Sequence, residues 1–308
     1  MQKIAHFLNS VKQISVVIHQ KPDGDAIGSA VALVKALEQK EKNAEIVCAT
    51  PIPEIFEQIV GKVKVNKSLD LNCEAVIIVD CSELHRTGIG RQLKRKKRPT
   101  IIAIDHHTNG NISAIADFEV IDPKAAASAE IVYDLIKEMR SFVTPQIATS
   151  LLMGIYTDCG AFQHNNTTSK TLQLSGRLIR EGADLQKIVT TFMRTLTQSK
   201  KRLWGKVIAE AKLNNFGVVT AVISLNDLKI AKASEEDING LANVLSLANE
   251  AKAALVLSET KDGWRGVLRT RHANINLKKL ARFLGGRGQK KAAGFLATKS
   301  IFSGKIIK

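Results

Sequence analysis

The run ISVVIHQKPDGDAIGS, from Ile14 to Ser29, decides how the chain is read. Ile14–Ile18 is β-branched apart from Ser15, the pattern of a strand covered on both faces. It passes directly into His19 and then Pro22-Asp23-Gly24-Asp25. Apolar residues at helical spacing follow (Ile27, Ala30, Val31, Val34, Leu37), which predicts a helix over Ala26–Lys40. In open α/β sheets, ligands bind just outside the carboxyl ends of strands, where this imidazole and these two carboxylates fall.

The same alternation continues outward. Glu45–Ala49, Ala75–Val79 and Thr100–Ile104 read as further strands. After Asp122-Pro123 the pattern turns helical, with Ser128–Met139, Pro145–Tyr156 and Thr168–Glu181. Strands alternating with helices predict an α/β fold with a doubly wound, mostly parallel sheet. Gly182-Ala183-Asp184 reads as a helix stop followed by an N-cap, so a first domain is expected over 1–184 and connecting helices over 185–213. A second, smaller α/β domain is expected over 214–308. Its predicted strands are Val218–Ile223, Ala254–Ser258 and Gly266–Thr270, its helices Ile238–Ala248 and Leu277–Leu284, and its glycine-rich loop Gly285–Gly288. The basic run Lys94–Arg98 reads as a solvated helix end before Pro99.

Acids and histidines recur where apolar segments end. Ala75–Val79 stops at Asp80, Thr100–Ile104 at Asp105-His106-His107, and Leu151–Tyr156 at Thr157-Asp158. Singly, each acid reads as a turn former or cap, and Asp25 as the cap of the helix that follows. Together, five carboxylates at one sheet edge would repel one another unless cations neutralised them. Mixed imidazole and carboxylate donors favour Mn²⁺, Zn²⁺ or Fe²⁺ over Ca²⁺. The donors suffice for two ions sharing one bridging carboxylate, an arrangement suited to in-line displacement at phosphorus. No Walker A loop and no G-x-G-x-x-G is present, so nicotinamide chemistry has no support.

Composition points the same way. The 308 residues carry a formal charge of +16, which calls for a polyanionic partner. The charge is uneven: residues 1–184 hold 22 basic and 21 acidic side chains, the remainder 23 and 8. No apolar run reaches the ~18 residues of a membrane span, and the first residues lack a secretory h-region. The four cysteines form no C-x-x-C, so a reducing cytoplasm is expected and a membrane partner is not. Aromatics at 5% are sparse for a protein that holds long single strands by base stacking.

His19–Ser29, Asp80, Asp105-His106-His107 and Thr157-Asp158 together closely resemble the motif set of the DHH phosphoesterase superfamily. Leu268-Arg-Thr-Arg271 and Gly285–Gly294 resemble its DHHA1 domain. The length is similar to the short two-domain members, oligoribonucleases that also act on 3′-phosphoadenosine 5′-phosphate. The resemblance implies a metal-dependent phosphoesterase acting on short RNA or DNA oligonucleotides, or on 3′-phosphoadenosine 5′-phosphate or other small nucleotides, through a metal-activated water. It implies two divalent ions, Mn²⁺ with Mg²⁺ as the alternative. His19 and Asp23 would hold one ion, Asp25, His106 and Asp158 the other, and Asp80 would bridge them. Asp105 would orient a ligand or the D-H-H turn, and His107 would face the scissile phosphate as acid or electrostatic stabiliser. Arg269 and Arg271, on one face of a strand, would grip substrate phosphate, with Gly285, Gly286, Arg287, Gly288 and Gln289 cradling it. Arg86 would support the neighbouring loop or contact phosphate.

One departure stands out. The family's glycine-rich run reads G-G-G-G-H, whereas here Arg287 replaces the third glycine and Gln289 the histidine. An altered substrate preference is expected. The alternatives are a nucleic-acid-binding or nucleotide-sensing protein without turnover, and an enzyme like the inorganic pyrophosphatases. A homodimer is left open.

Overall fold

A computed structural model describes residues 1–70, 72–94, 98–108, 110–194 and 197–298. The chain divides into two compact units, Met1–Met193 and Arg194–Lys308. Of the stretch 185–213, one helix ends at the boundary of the first unit and another belongs to the second.

The first unit runs α1 (Gln2–Ser10), β1 (Gln13–Val17), α2 (Gly24–Glu38), β2 (Asn43–Val47), α3 (Glu54–Val60), β3 (Val65–Asn66), β4 (Ala75–Val79), α4 (Gly90–Leu93), β5 (Thr100–Asp105) and β6 (Phe118–Ile121). Helices α5 (Ser128–Glu138), α6 (Pro145–Asp158), α7 (Ser169–Arg180) and α8 (Leu185–Arg194) complete it. The six strands form one sheet in the order β3-β2-β1-β4-β5-β6, and every pairing is parallel. The order reverses between β1 and β4, so the carboxyl ends of these strands diverge around a crevice.

Period-two alternation splits the strands between two cores. Val16, Ile77, Val79, Ile102 and Ile104 face a thick layer that includes α1, α2, α5 and α6. Val17, Val76, Ile78, Ile101 and Ala103 face a thinner cover built around Leu69, Leu84, Leu93 and Ile112. Helix α2 is buried on nearly every side against the sheet, α5 and α6. The basic run at Lys94–Arg98 falls partly outside the described residues, but Arg98 pairs with Asp117 at 2.6 Å.

The second unit runs α9 (Gln198–Glu210), β7 (Lys212–Leu213), β8 (Val218–Ile223), α10 (Leu225–Ala231), α11 (Leu241–Leu245), β9 (Ala253–Thr260), β10 (Gly263–Arg269), α12 (Leu277–Phe283), β11 (Arg287–Gly288) and β12 (Ala292–Thr298). Its mixed sheet has the order β11-β12-β10-β9-β8-β7, parallel only between β8 and β9 among the described strands.

Three expectations change here. The helix expected over Ile238–Ala248 is broken, because Gly240 takes a left-handed φ of 94° and separates a 3₁₀ turn from α11. The glycine-rich loop is partly strand, Arg287–Gly288 pairing with Ala293 and Gly294. Arg271 does not continue the strand that holds Arg269. The Thr270 hydroxyl donates to the Lys252 carbonyl at 2.6 Å and accepts from the His272 N–H at 3.1 Å, and β10 ends at Arg269.

Candidate active site

Three strand ends and two helix ends build the site. His19 and Asp23 follow β1, Asp25 sits in the first turn of α2, and Asp80 follows β4. Asp105 is the last residue of β5, with His106 and His107 beyond it, and Asp158 ends α6. Asp80 is held at a φ of 54°, a left-handed conformation uncommon outside glycine, which turns its carboxylate into the crevice.

Asp23, rather than Asp25, caps α2. One of its oxygens accepts from the N–H groups of Asp25 and Ala26, both at 3.1 Å. The other lies 3.8 Å from His19 Nε2. Asp25 instead caps a different helix. The N-cap of α5 is Ala127, which has no side-chain acceptor, and Asp25 accepts from the N–H groups of Ser128 (2.6 Å) and Ala129 (3.0 Å). The hydroxyl of Ser29 adds a contact at 3.2 Å. A carboxylate at a helix N-terminus is favoured by both the free amides and the dipole.

Asp80 lies between two imidazoles. Its Oδ2 is 3.9 Å from His19 Nε2 and its Oδ1 is 3.7 Å from His106 Nε2. Candidate ligand atoms of His19, Asp23 and Asp80 fall within 4.8 Å of one another, as do those of Asp80, Asp105, His106 and His107. Asp158 Oδ2 is 3.7 Å from His106 Nε2. The tautomers are set from behind: His19 Nδ1 donates to the Gln20 carbonyl at 2.8 Å and His106 Nδ1 to that of Ala125 at 3.3 Å. Both rings therefore present the Nε2 lone pair to the crevice. His106 Nε2 is buried and has no hydrogen-bond partner.

Asp105 organises the D-H-H turn. One oxygen accepts from the N–H groups of His106 (2.7 Å) and His107 (3.1 Å) and from His107 Nδ1 (2.7 Å). That last bond raises the His107 pKa against the opposing effect of burial.

The carboxylates strain one another. Burial, then the charges of Asp25, Asp23, Asp105 and Asp158, push Asp80 well above its ordinary range. Burial, then Asp158 and Asp23, do the same to Asp25. Asp158 is raised by burial and by Asp23, against the pull of His106. Asp23 alone among these four is lowered: burial raises it, but its bond to His19 and the α2 amides outweigh that. An orphaned imidazole nitrogen facing acids that resist ionisation is the donor set of a cation site, and nitrogen with carboxylate oxygen suits Mn²⁺, Zn²⁺ or Fe²⁺. Burial pushes the adjacent thiols of Cys81 and Cys159 up to about 12.

Small residues let the helices close on this crevice. A Cβ on Gly28 would stand 2.2 Å from the Ser150 carbonyl of α6, and one on Gly154 would stand 2.8 Å from Asp25 Oδ1.

Residues 13–155 match the DHH family, N-terminal domain. These residues are a DHH-family domain. The chain is also similar to two curated proteins named bifunctional oligoribonuclease and PAP phosphatase NrnA. One, from Thermus thermophilus, is 29% identical over 302 residues, covering 96% of this chain and 87% of the relative. The other, from Mycoplasma genitalium, is 25% identical over 303 residues, covering 96% and 92%. A crystal structure of an exopolyphosphatase-related protein from Bacteroides fragilis shares the fold, with a TM-score of 0.85 at 21% identity over 99% of this chain and 91% of that one.

Several groups outside the motifs support the site. Ser128 donates its hydroxyl to Asp80 Oδ1 at 3.0 Å, and Asn166 Nδ2 reaches the Ala126 carbonyl at 2.9 Å and Asp158 Oδ2 at 3.3 Å. Arg86 lies in a 3₁₀ turn, and its carbonyl accepts from the Gln20 N–H at 2.7 Å, beside His19.

In the second unit, Arg269 is half-buried and donates Nε to Asn243 Oδ1 at 2.8 Å. Arg271, Arg287, Gly288 and Gln289 are exposed. The Gln289 N–H donates to the Ala292 carbonyl at 2.7 Å, in the turn between β11 and β12. Gly285 takes a φ of 74°, and a Cβ on Gly286 would stand 2.2 Å from the Gly294 carbonyl, so the run is bound closely to β12.

Proposed function

We propose that the chain is a metal-dependent phosphoesterase that hydrolyses short oligonucleotides to mononucleotides and removes the 3′-phosphate of 3′-phosphoadenosine 5′-phosphate. Hydrolysis of a phosphoester bond is the class of reaction to which the DHH domain and its relatives belong. The observation that carries the finer reading is the position of Asp80, whose two oxygens each face a different imidazole. A carboxylate bridging two ions through both oxygens has that division.

In this reading His19, Asp23 and Asp80 hold one divalent ion, Mn²⁺ or Mg²⁺, and Asp25, Asp80, His106 and Asp158 hold a second. Such ions lower the pKa of bound water and stabilise charge on phosphoryl oxygens. The protein's own groups do the rest. Asp105 fixes the D-H-H turn and, through its bond to His107 Nδ1, favours the doubly protonated ring, whose Nε2–H donates to the leaving oxygen or stabilises its charge. Arg269 binds substrate phosphate with the N–H groups that Asn243 and Leu268 leave free. Four free, buried cysteines suit the cytoplasm. Among the described residues no helix is long and apolar enough to cross a membrane.

The test is a substrate panel with Mn²⁺: an RNA dimer, a 5-mer and a 24-mer, 3′-phosphoadenosine 5′-phosphate, cyclic dinucleotides and pyrophosphate. Turnover of the dimer, the 5-mer or the bisphosphate, abolished in Asp80→Ala, is expected. Tight nucleic-acid binding with no turnover of any substrate would leave a binding protein instead.

A further inference from the structure

Beyond α6 the backbone enters an uncommon turn. Gly160, Ala161 and Phe162 hold φ values of 54°, 56° and 63°, three left-handed residues in succession. Residues with a Cβ visit that region singly and at a cost, and a bulky one rarely. The run is held from both sides. Phe162 packs edge-on against Tyr156, which stacks on Phe192. The Ala161 N–H donates to the Tyr156 carbonyl at 2.8 Å, and the N–H groups of Gln163 and His164 both donate to the Cys159 carbonyl, at 3.0 and 2.9 Å. Strain of this kind persists where the surroundings over-determine it, and it gathers at functional sites.

What the turn delivers is His164. Its Nδ1–H donates to the carbonyl of Asp158 at 3.1 Å, and the imidazole lies close enough to the Asp158 carboxylate to act on its charge. A Cβ built on Gly160 would stand 2.3 Å from His164 Nε2, and 2.5 and 2.6 Å from the two ring carbons bonded to that nitrogen. An edge-on ring would hold those carbons well behind the nitrogen, so the imidazole lies by its face on Gly160, where any side chain would displace it. The residue is nonetheless exposed. One face of the ring is therefore backed by the turn, and the other is open beside Asp158. Neither the metal-binding set nor the D-H-H turn uses it.

We infer that the open face of His164 stacks the nucleobase of the substrate. This rests on the reading of the chain as a nucleotide phosphoesterase and names the group by which it tells a nucleotide from a phosphoester without a base. Histidine is among the side chains on which unpaired bases stack, and the contact tolerates any base because every base has a π-face. Purines, with the larger face, should gain more than pyrimidines. A ring tied at Nδ1 and backed on one face loses little freedom when the base arrives. A single platform holds one base, which suits a short oligonucleotide and a chain with only 5% aromatics.

The test titrates the full chain, in Mg²⁺, into 2-aminopurine riboside 5′-monophosphate, whose fluorescence is quenched when its base stacks. This nucleotide has no internucleotide bond to cleave, so the signal is independent of diester hydrolysis. Quenching is expected in the wild type. His164→Ala should lose it and bind about tenfold more weakly, the scale of one base stack, and kcat/KM for diadenylate with Mn²⁺ should fall by a similar factor. Two further variants separate stacking from support of Asp158. His164→Phe keeps a π-face and loses the bond to the Asp158 carbonyl, and it should restore quenching and affinity. His164→Asn keeps a donor and loses the ring, and it should behave as His164→Ala does. Quenching that survives in His164→Ala or His164→Asn, or stays lost in His164→Phe, would overturn the proposal. Quenching that depends on His164, with no hydrolysis of any dinucleotide, would remove the phosphoesterase reading and leave the platform standing. Hydrolysis of diadenylate with no quenching in the wild type would do the reverse.

Discussion

Ser128 donates its hydroxyl to Asp80 Oδ1 at 3.0 Å while its own N–H reaches Asp25 Oδ2 at 2.6 Å, so one residue at the start of α5 grips two buried acids of the crevice. Ser128→Ala removes the first contact and keeps the second. It should weaken Mn²⁺ binding by about tenfold or more, the usual cost of losing an outer hydrogen bond to a metal ligand. Mn²⁺ titration followed by electron paramagnetic resonance measures this directly, and Ser128→Thr should recover most of the affinity. Unchanged Mn²⁺ affinity in the alanine variant would reduce Ser128 to a packing role.

Gly28 and Gly205 make a paired stability test. Both lie in helices, but a methyl on Gly28 would collide with the Ser150 carbonyl, whereas one on Gly205 meets nothing within 4 Å. Gly28→Ala should cost about 1–3 kcal/mol or more by overpacking and lower Tm by calorimetry. Gly205→Ala should be neutral, or stabilising by about 0.5–1 kcal/mol. Because α2 carries Asp25 and α6 carries Asp158, Gly28→Ala should also lower activity beyond what its folded fraction explains.

Asp105 and His107 should be linked in the pH profile. The Asp105 hydrogen bond raises the His107 pKa, so the protonated ring persists to higher pH than in a free histidine. In Asp105→Asn the limb of kcat that reports His107 losing its proton should move to lower pH. A limb that stays in place would assign it to another group.

Metal removal should invert the usual pH dependence of stability. Asp25, Asp80 and Asp158 have folded-state pKa values raised above their unfolded ones. Between those values the folded state binds more protons than the unfolded state, so metal-free stability falls as pH rises through the window. Mn²⁺ offsets the repulsion, and its Tm increment should grow over the same interval. Calorimetry in chelator and in Mn²⁺ across a pH series tests both. Metal-free stability that rose with pH would mean these acids are not raised.

Much of the first unit was readable because its strands are unbroken β-branched runs that end on polar residues. Ala75–Val79 needs nothing from the rest of the chain to declare itself. β6 and α1 were not anticipated: Phe118–Ile121 is four residues long, and α1 buries a short stripe of Ile4, Ala5 and Leu8 and packs against α5. Asp25 read as the cap of its own helix, yet Asp23 takes that role and Asp25 caps α5, more than a hundred residues away. Ser128 was invisible for the same reason, since in Ala125–Glu130 it resembles any helix start. Arg271 was placed on the strand by extrapolation, and the two hydrogen bonds of the Thr270 hydroxyl mark where that stops.

Each of two acids in the crevice is followed by a buried cysteine, Asp80 by Cys81 and Asp158 by Cys159, and both thiols hold their protons until about pH 12. The thiolate, not the thiol, is the nucleophile that attacks peroxide and disulfides. Burial therefore makes these two sulfurs poor nucleophiles, and Cys81 and Cys159 should react slowly with peroxide.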